Sequence, residues 1–93
     1  MKYKVAELEG CLLDAAVAMA EGEPDLARGG FTPSSRWHDS GPIIKREHIA
    51  LVPIGDAWLA EYPNNAGRAK GCTPLIAAMR AYVTSKLGEE VDL

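Results

Sequence analysis

Two short runs hold most of the side chains with chemistry to offer: Arg36-Trp37-His38-Asp39 and, further on, Arg46-Glu47-His48. A histidine beside a carboxylate can move a proton, and His38, Asp39 and His48 together contain the donor types of a divalent-metal site. The spacing matches no zinc module, however, and such a site needs further ligands. The plainer reading has Asp39 or Ser40 capping a helical turn that begins at Pro42, with His48 preceding a strand. Arg36, Trp37, His38, Asp39, Arg46 and His48 instead share the guanidinium-plus-aromatic make-up of contact surfaces and form the candidate binding surface. A surface ion pair of Arg46 with Glu47 or Asp39 is the competing account, one that contributes little. No catalytic residue, metal ligand or cofactor is assigned.

Other reactive patterns are missing from the sequence. There is no Gly-x-Ser-x-Gly elbow, and neither Cys11 nor Cys72 has a histidine and a carboxylate nearby in sequence. The cysteines have no Cys-x-x-Cys spacing, which leaves two free thiols in a reducing compartment, read as small semi-buried residues. Gly29-Gly30 and the Gly67 to Gly71 stretch match neither phosphate-binding loop. A net charge of −3 supplies no global field for nucleic acid. The N-terminal third is the acidic part, and a local basic set of Arg36, Lys45, Arg46, Arg68 and Lys70 is left. No apolar run reaches membrane-spanning length or resembles a signal peptide, so no membrane contact is expected.

The elements that must carry these residues follow from periodicity. In residues 9–21, Leu12, Leu13, Ala16, Val17 and Ala20 recur at helical spacing, with Gly22 and Pro24 as the stop. Residues 22–41 are broken by Pro24, Gly29, Gly30, Pro33 and Gly41 and read as one long irregular loop. Residues 42–47 read as a short helical turn that points Ile43 and Ile44 inward. Two apolar runs, Ile49 to Ile54 and Ala57 to Tyr62, flank Gly55-Asp56, the signature of a tight hairpin. That turn pairs Ile54 with Ala57, Val52 with Leu59 and Ile49 with Tyr62.

Both faces of this hairpin are mostly apolar, although a hairpin covered on one side should be polar on the other. The face bearing Val52, Ile54 and Leu59 therefore needs a cover: the loop, Tyr3 to Val5 as a third edge strand, or another chain. A polar loop spans Pro63 to Gly71. Thr73-Pro74 then starts a helix whose stripe is Leu75, Ile76, Met79, Tyr82, Val83 and Leu87, and residues 89–93 read as a flexible tail. The fold class is α+β, a single small domain over residues 1–93 with two helices packed on a short antiparallel hairpin. Its predicted core is Leu12, Leu13, Val17, Ile43, Ile44, Ile49, Leu51, Trp58, Leu75, Met79 and Val83.

Three segments taken in order carry a resemblance. They are Leu8-Glu9-Gly10 with Leu13-Asp14 and Val17-Ala18; Gly41-Pro42-Ile43-Ile44 running to Glu47 and Ile49; and Thr73-Pro74-Leu75 with Ala77-Ala78-Met79-Arg80. Over nearly its whole length the chain resembles the NinX-like phage proteins. One departure is the pair Ala15-Ala16, where those proteins tend to carry aromatic residues. The resemblance implies a bacterial cytoplasm and a mobile-element origin, with no catalytic residue to transfer. The function expected is that of a non-enzymatic accessory or interaction protein, its partner another protein or a second copy meeting the hairpin face. Weak nucleic-acid binding through the basic set is the alternative.

Overall fold

The computed structural model describes residues 1–63 and 67–93. Its longest helix, α3 (Pro74–Leu87), starts where the Thr73 hydroxyl accepts the Ile76 N–H at 3.1 Å, and Pro74 fills a first-turn position that needs no N–H. Leu75, Ala77, Ala78, Met79, Ala81, Tyr82 and Val83 are all buried, more of the circumference than a surface helix hides. The neighbours explain this. A sheet of β2 (Ala50–Ile54), β3 (Ala57–Glu61) and β4 (Arg68–Gly71) lies against α3, and so do α1 (Gly10–Ala20) and α2 (Trp37–Glu47). The expected pair of helices on one hairpin face is therefore corrected: α3 sits between the sheet and α1.

Small residues make this layering tight. Gly71 of β4 approaches α3 so closely that a Cβ there would stand 2.6 Å from the Ala77 nitrogen.

The hairpin forms in the predicted register, with Ile54 opposite Ala57 and Val52 opposite Leu59 across Gly55-Asp56, Gly55 taking a φ of 58°. Its third strand is not the N-terminal segment. β4 pairs with β3, Trp58 opposite Gly71 and Glu61 opposite Arg68, inside the stretch expected to be a polar loop. Residues 64–66 of that expected loop lie outside the described residues. The N-terminal strand β1 (Lys2–Lys4) pairs instead with β5 (Glu90–Asp92) as a separate antiparallel ribbon. Residues 89–93, expected as a flexible tail, thus contain a strand, and Val91 is buried in the core. Three helices and two antiparallel sheets among the described residues make this a small α+β domain.

The segment 22–41 is also more ordered than its composition suggests. Pro24–Arg28 forms a 3₁₀ turn, and α2 begins at Trp37 rather than at Pro42. Pro42 lies inside α2, where its missing N–H costs one helical bond. Near the helix start the Ser40 hydroxyl donates to the Arg36 carbonyl at 3.0 Å, and Asp39 Oδ2 accepts the Thr32 N–H at 2.9 Å and so ties the preceding segment to the first turn. Asp14, buried on α1, accepts the Ser34 N–H at 2.9 Å and fastens the same segment to α1.

Leu13, Val17, Ile43, Ile49, Leu75, Met79 and Val83 are buried as predicted. Ile44, Leu51 and Trp58 are half-buried against the core, and Leu12 is 38% exposed because α1 turns it away from α3. Both cysteines are free and exposed, rather than semi-buried.

Candidate functional site

Helix α2 carries nearly all of the predicted binding surface and divides it. Arg36 and His38 are exposed at its start beside Trp37, which is 56% exposed, whereas Asp39 turns back to hold the Thr32 N–H. Arg46 and His48 lie at the other end, and Trp37 to Glu47 spans about 15 Å at 1.5 Å per residue. His48 is the left-handed residue that ends the helix, at a φ of 58° and ψ of 43°. The two histidines are therefore not brought together. Among the described residues no group of three or more His, Cys, Asp and Glu side chains stands ready to hold a metal.

Arg46 belongs to a different constellation, assembled where α1, α2 and α3 meet. Its guanidinium donates to both Glu21 oxygens, at 3.3 and 2.7 Å, to Glu47 Oε2 at 2.9 Å and to the Tyr82 hydroxyl at 3.1 Å. The Tyr82 hydroxyl donates to Glu21, and the Arg46 guanidinium carbon lies 5.8 Å from the centre of the Tyr82 ring. Glu47 Oε1 accepts the Tyr62 hydroxyl at 3.1 Å and faces Lys86 Nζ at 3.2 Å. Burial alone would raise the Glu21 and Glu47 carboxyls. The hydrogen bonds from Arg46, joined by Tyr82 at Glu21 and by Lys86 and Tyr62 at Glu47, outweigh it and hold both below the ordinary carboxylate range. Burial first, then the neighbouring carboxylates, pushes the Tyr82 phenol above its ordinary value, and burial is the main cause of the same shift at Tyr62.

Two carboxylates, two phenols and two cations in one cluster have the composition of a catalytic centre, but their geometry is that of a clasp. Both carboxylates accept from several donors, and Arg46 directs its donors to acceptors on α2 itself, at the end of α1 and on α3. What the arrangement does is tie the C-terminal ends of α1 and α2 to the middle of α3. The sequence named only Arg46 and Glu47 of this group. Tyr82 offered a signal, since a tyrosine within an apolar stripe must place its hydroxyl on a polar partner, but nothing in the sequence said that the partner would be Glu21.

The second candidate is the sheet face turned away from α3. Ala69 packs on the core and Gly71 abuts Ala77, so alternation puts Arg68 and Lys70 on the outer face. Leu59 lies opposite Lys70 and Val52, which places it on that face too. Val52 is 44% and Ile54 45% exposed there, whereas Leu59, flanked on both sides in the middle strand, is 7% exposed and stands outside the main core cluster. Neither the long segment 22–41 nor the N-terminal strand takes the place of a cover over Val52 and Ile54, two of the covers the sequence reading offered.

The family model described as "Bacteriophage P22, NinX" matches residues 4–86, from β1 through nearly all of α3. No curated protein matches the chain. No helix among the described residues is long and apolar enough to cross a membrane.

Proposed function

The chain belongs to the bacteriophage P22 NinX family, and from that premise we propose that it is a phage-derived, non-enzymatic accessory protein that works by protein–protein contact through the outer face of its hairpin. The observation that carries this reading is the pair Val52 and Ile54, each nearly half exposed beside Leu59 on the sheet face opposite α3. Branched apolar side chains on an open, hydrogen-bonded strand are rigid and already ordered, so covering them costs little conformational entropy. The clasp of Glu21, Arg46 and Glu47 supports a structural role for the most reactive-looking side chains, because their hydrogen bonds are made to one another.

The nucleic-acid alternative is the weaker reading. Of its five cations, Arg46 is committed to Glu21 and Glu47, and Arg68 lies 3.6 Å from Glu61. A cytoplasmic setting is part of the same proposal.

Sedimentation velocity over a concentration series, on the wild-type chain and on Ile54→Lys, tests the self-contact version: a dimer that Ile54→Lys abolishes supports it. If the chain is a monomer throughout, a photo-cross-linker at position 54, activated in infected host cells, tests contact with another protein. A monomer that yields no cross-linked partner ends the reading.

A further inference from the structure

The two edges of the three-stranded sheet are not equivalent. In an antiparallel pair, residues alternate between those bonded to the neighbouring strand and those whose N–H and C=O point away. The Tyr62 N–H donates to the Gly67 carbonyl at 2.8 Å in the β3–β4 register, so Ala60 with Ala69 and Trp58 with Gly71 are the bonded pairs. The main-chain groups of Arg68 and Lys70 therefore face the edge that no strand among the described residues pairs with. An independent contact agrees: the outward Lys70 carbonyl accepts from Arg80 Nη1 at 2.9 Å.

On the opposite edge the tight turn makes Ile54 with Ala57 and Val52 with Leu59 the bonded pairs, which leaves Leu51 and Pro53 facing outward. Pro53 has no N–H to offer, and a proline at that position blunts an edge against further pairing. Strand β4 contains no proline, and only its Lys70 carbonyl is capped, by Arg80. Beside this strand runs a groove with Lys4, Arg68, Ala69, Thr84, Glu89 and Glu90 among its lining residues.

We propose that the free edge of β4 accepts an extended peptide segment of a partner protein as a fourth strand, bonded to the Arg68 N–H and C=O and to the Lys70 N–H. This rests on the reading of the chain as an interaction protein, but it uses a different surface from Val52 and Ile54. The charges select the occupant. On the outer face the incoming residues stand beside Lys70 and Arg68, both exposed, and because Arg68 lies 3.6 Å from Glu61 it is Lys70 that chiefly favours an acidic side chain there. Glu89 and Glu90 in the groove disfavour a uniformly acidic segment, so the fitting sequence alternates acidic with small polar residues. A second copy is a poor occupant: two β4 strands paired antiparallel about Ala69 would set Arg68 opposite Lys70, cation against cation.

The test is amide hydrogen exchange by NMR on the full chain, titrated with a blocked hexapeptide of alternating glutamate and threonine. In the free protein the Arg68 and Lys70 amides exchange faster than those of Ala69 and Gly71. Peptide at millimolar concentration slows Arg68 and Lys70 selectively, and peptides N-methylated at alternate residues, made in both phases, give one that fails to do so. Arg68→Pro removes the outward N–H while leaving the bonds to β3, and it weakens binding about tenfold. The N-methylated pair keeps the test valid if that variant does not fold. Unchanged Arg68 and Lys70 exchange at millimolar peptide overturns the proposal, as does equal binding by both N-methylated peptides. Slowing that follows the protein's own concentration without peptide assigns the edge to a second copy and also overturns it. Repeating the titration on Ile54→Lys separates the two surfaces: undiminished protection supports the β4 edge, and lost protection moves the peptide to the outer face and overturns it.

Discussion

Gly71→Ala tests the closest approach in the fold. The added Cβ would stand 2.6 Å from the Ala77 nitrogen, 2.9 Å from Ile76 Cγ2 and 3.0 Å from Ala77 Cα. Non-bonded heavy atoms rest at about 3.5 Å or more, so β4 and the first turns of α3 must part by roughly 1 Å. Two of the three obstacles are backbone atoms, and no rotamer change relieves them. The interface that opens holds α3 against the sheet, so the cost belongs in the upper part of the ~1–3 kcal/mol range for overpacking. A chain of 93 residues has a total stability on the order of 5–14 kcal/mol. At about 4–8 °C per kcal/mol, the melting temperature should fall by roughly 10–20 °C in a circular-dichroism melt. Gly41→Ala is the matched control. It lies within α2, where its Cβ would meet nothing beyond its chain neighbours. The clash of that Cβ with the Pro42 ring offsets the better helix propensity, so the melt should stay within a few degrees of wild type. A Gly71→Ala melt within a degree or two of wild type would refute the packing of β4 on α3.

Other expectations follow from the clasp, the ribbon and the exposed indole. Glu21 and Glu47 have folded-state pKa values below those of the unfolded chain, so their contribution is complete above the ordinary carboxylate value of 4.5 and is lost as pH falls through the lowered values. Arg46→Met leaves only the Tyr82 hydroxyl to oppose burial at Glu21, and the acid-unfolding midpoint should move to higher pH; a midpoint at or below that of wild type would contradict the clasp. Val91→Ala should cost about 1–3 kcal/mol in urea unfolding, since Val91 is 5% exposed, whereas a frayed end would give no change. Trp37 is 56% exposed and Trp58 packs on the core, so Trp37→Phe should remove most of the iodide-quenchable, red-shifted emission.

What the sequence disclosed depended on how local each cause was. Helix α3 and the hairpin register were legible because a Thr-Pro start and a two-residue Gly turn act within a few positions. Helix α2 was only half legible: Gly41-Pro42 looks like an interruption, and the groups that hold its first turn, Asp39 on the Thr32 N–H and Ser40 on the Arg36 carbonyl, appear only once the backbone is placed. Strands β4 and β5 were missed for another reason. Arg68-Ala69-Lys70-Gly71 has neither β-branched residues nor aromatics, and β5 is three residues long, so both are strands because of the partner strands they meet, not because of intrinsic preference. The outer hairpin face was anticipated, since its excess of apolar residues is a property of the sequence itself. The clasp was not, because Glu21 and Tyr82 stand 61 positions apart.

The sheet is divided by its own chemistry. On the β2 side the face is apolar, with Val52 and Ile54 exposed, while Pro53 takes a donor out of the edge. A partner on that side gains by covering side chains and little by adding a strand. On the β4 side the outer face carries Arg68 and Lys70, and the edge keeps its donors. A partner there gains main-chain hydrogen bonds and has charge to match. A face without a usable edge and an edge without an apolar face also guard against runaway strand-on-strand stacking, which needs both on the same strand. Pro53→Thr restores the missing donor beneath the apolar face. That substitution should make the chain aggregate more than wild type as concentration rises, followed by light scattering, and a Pro53→Thr protein as dispersed as wild type would show that the proline does not protect this edge.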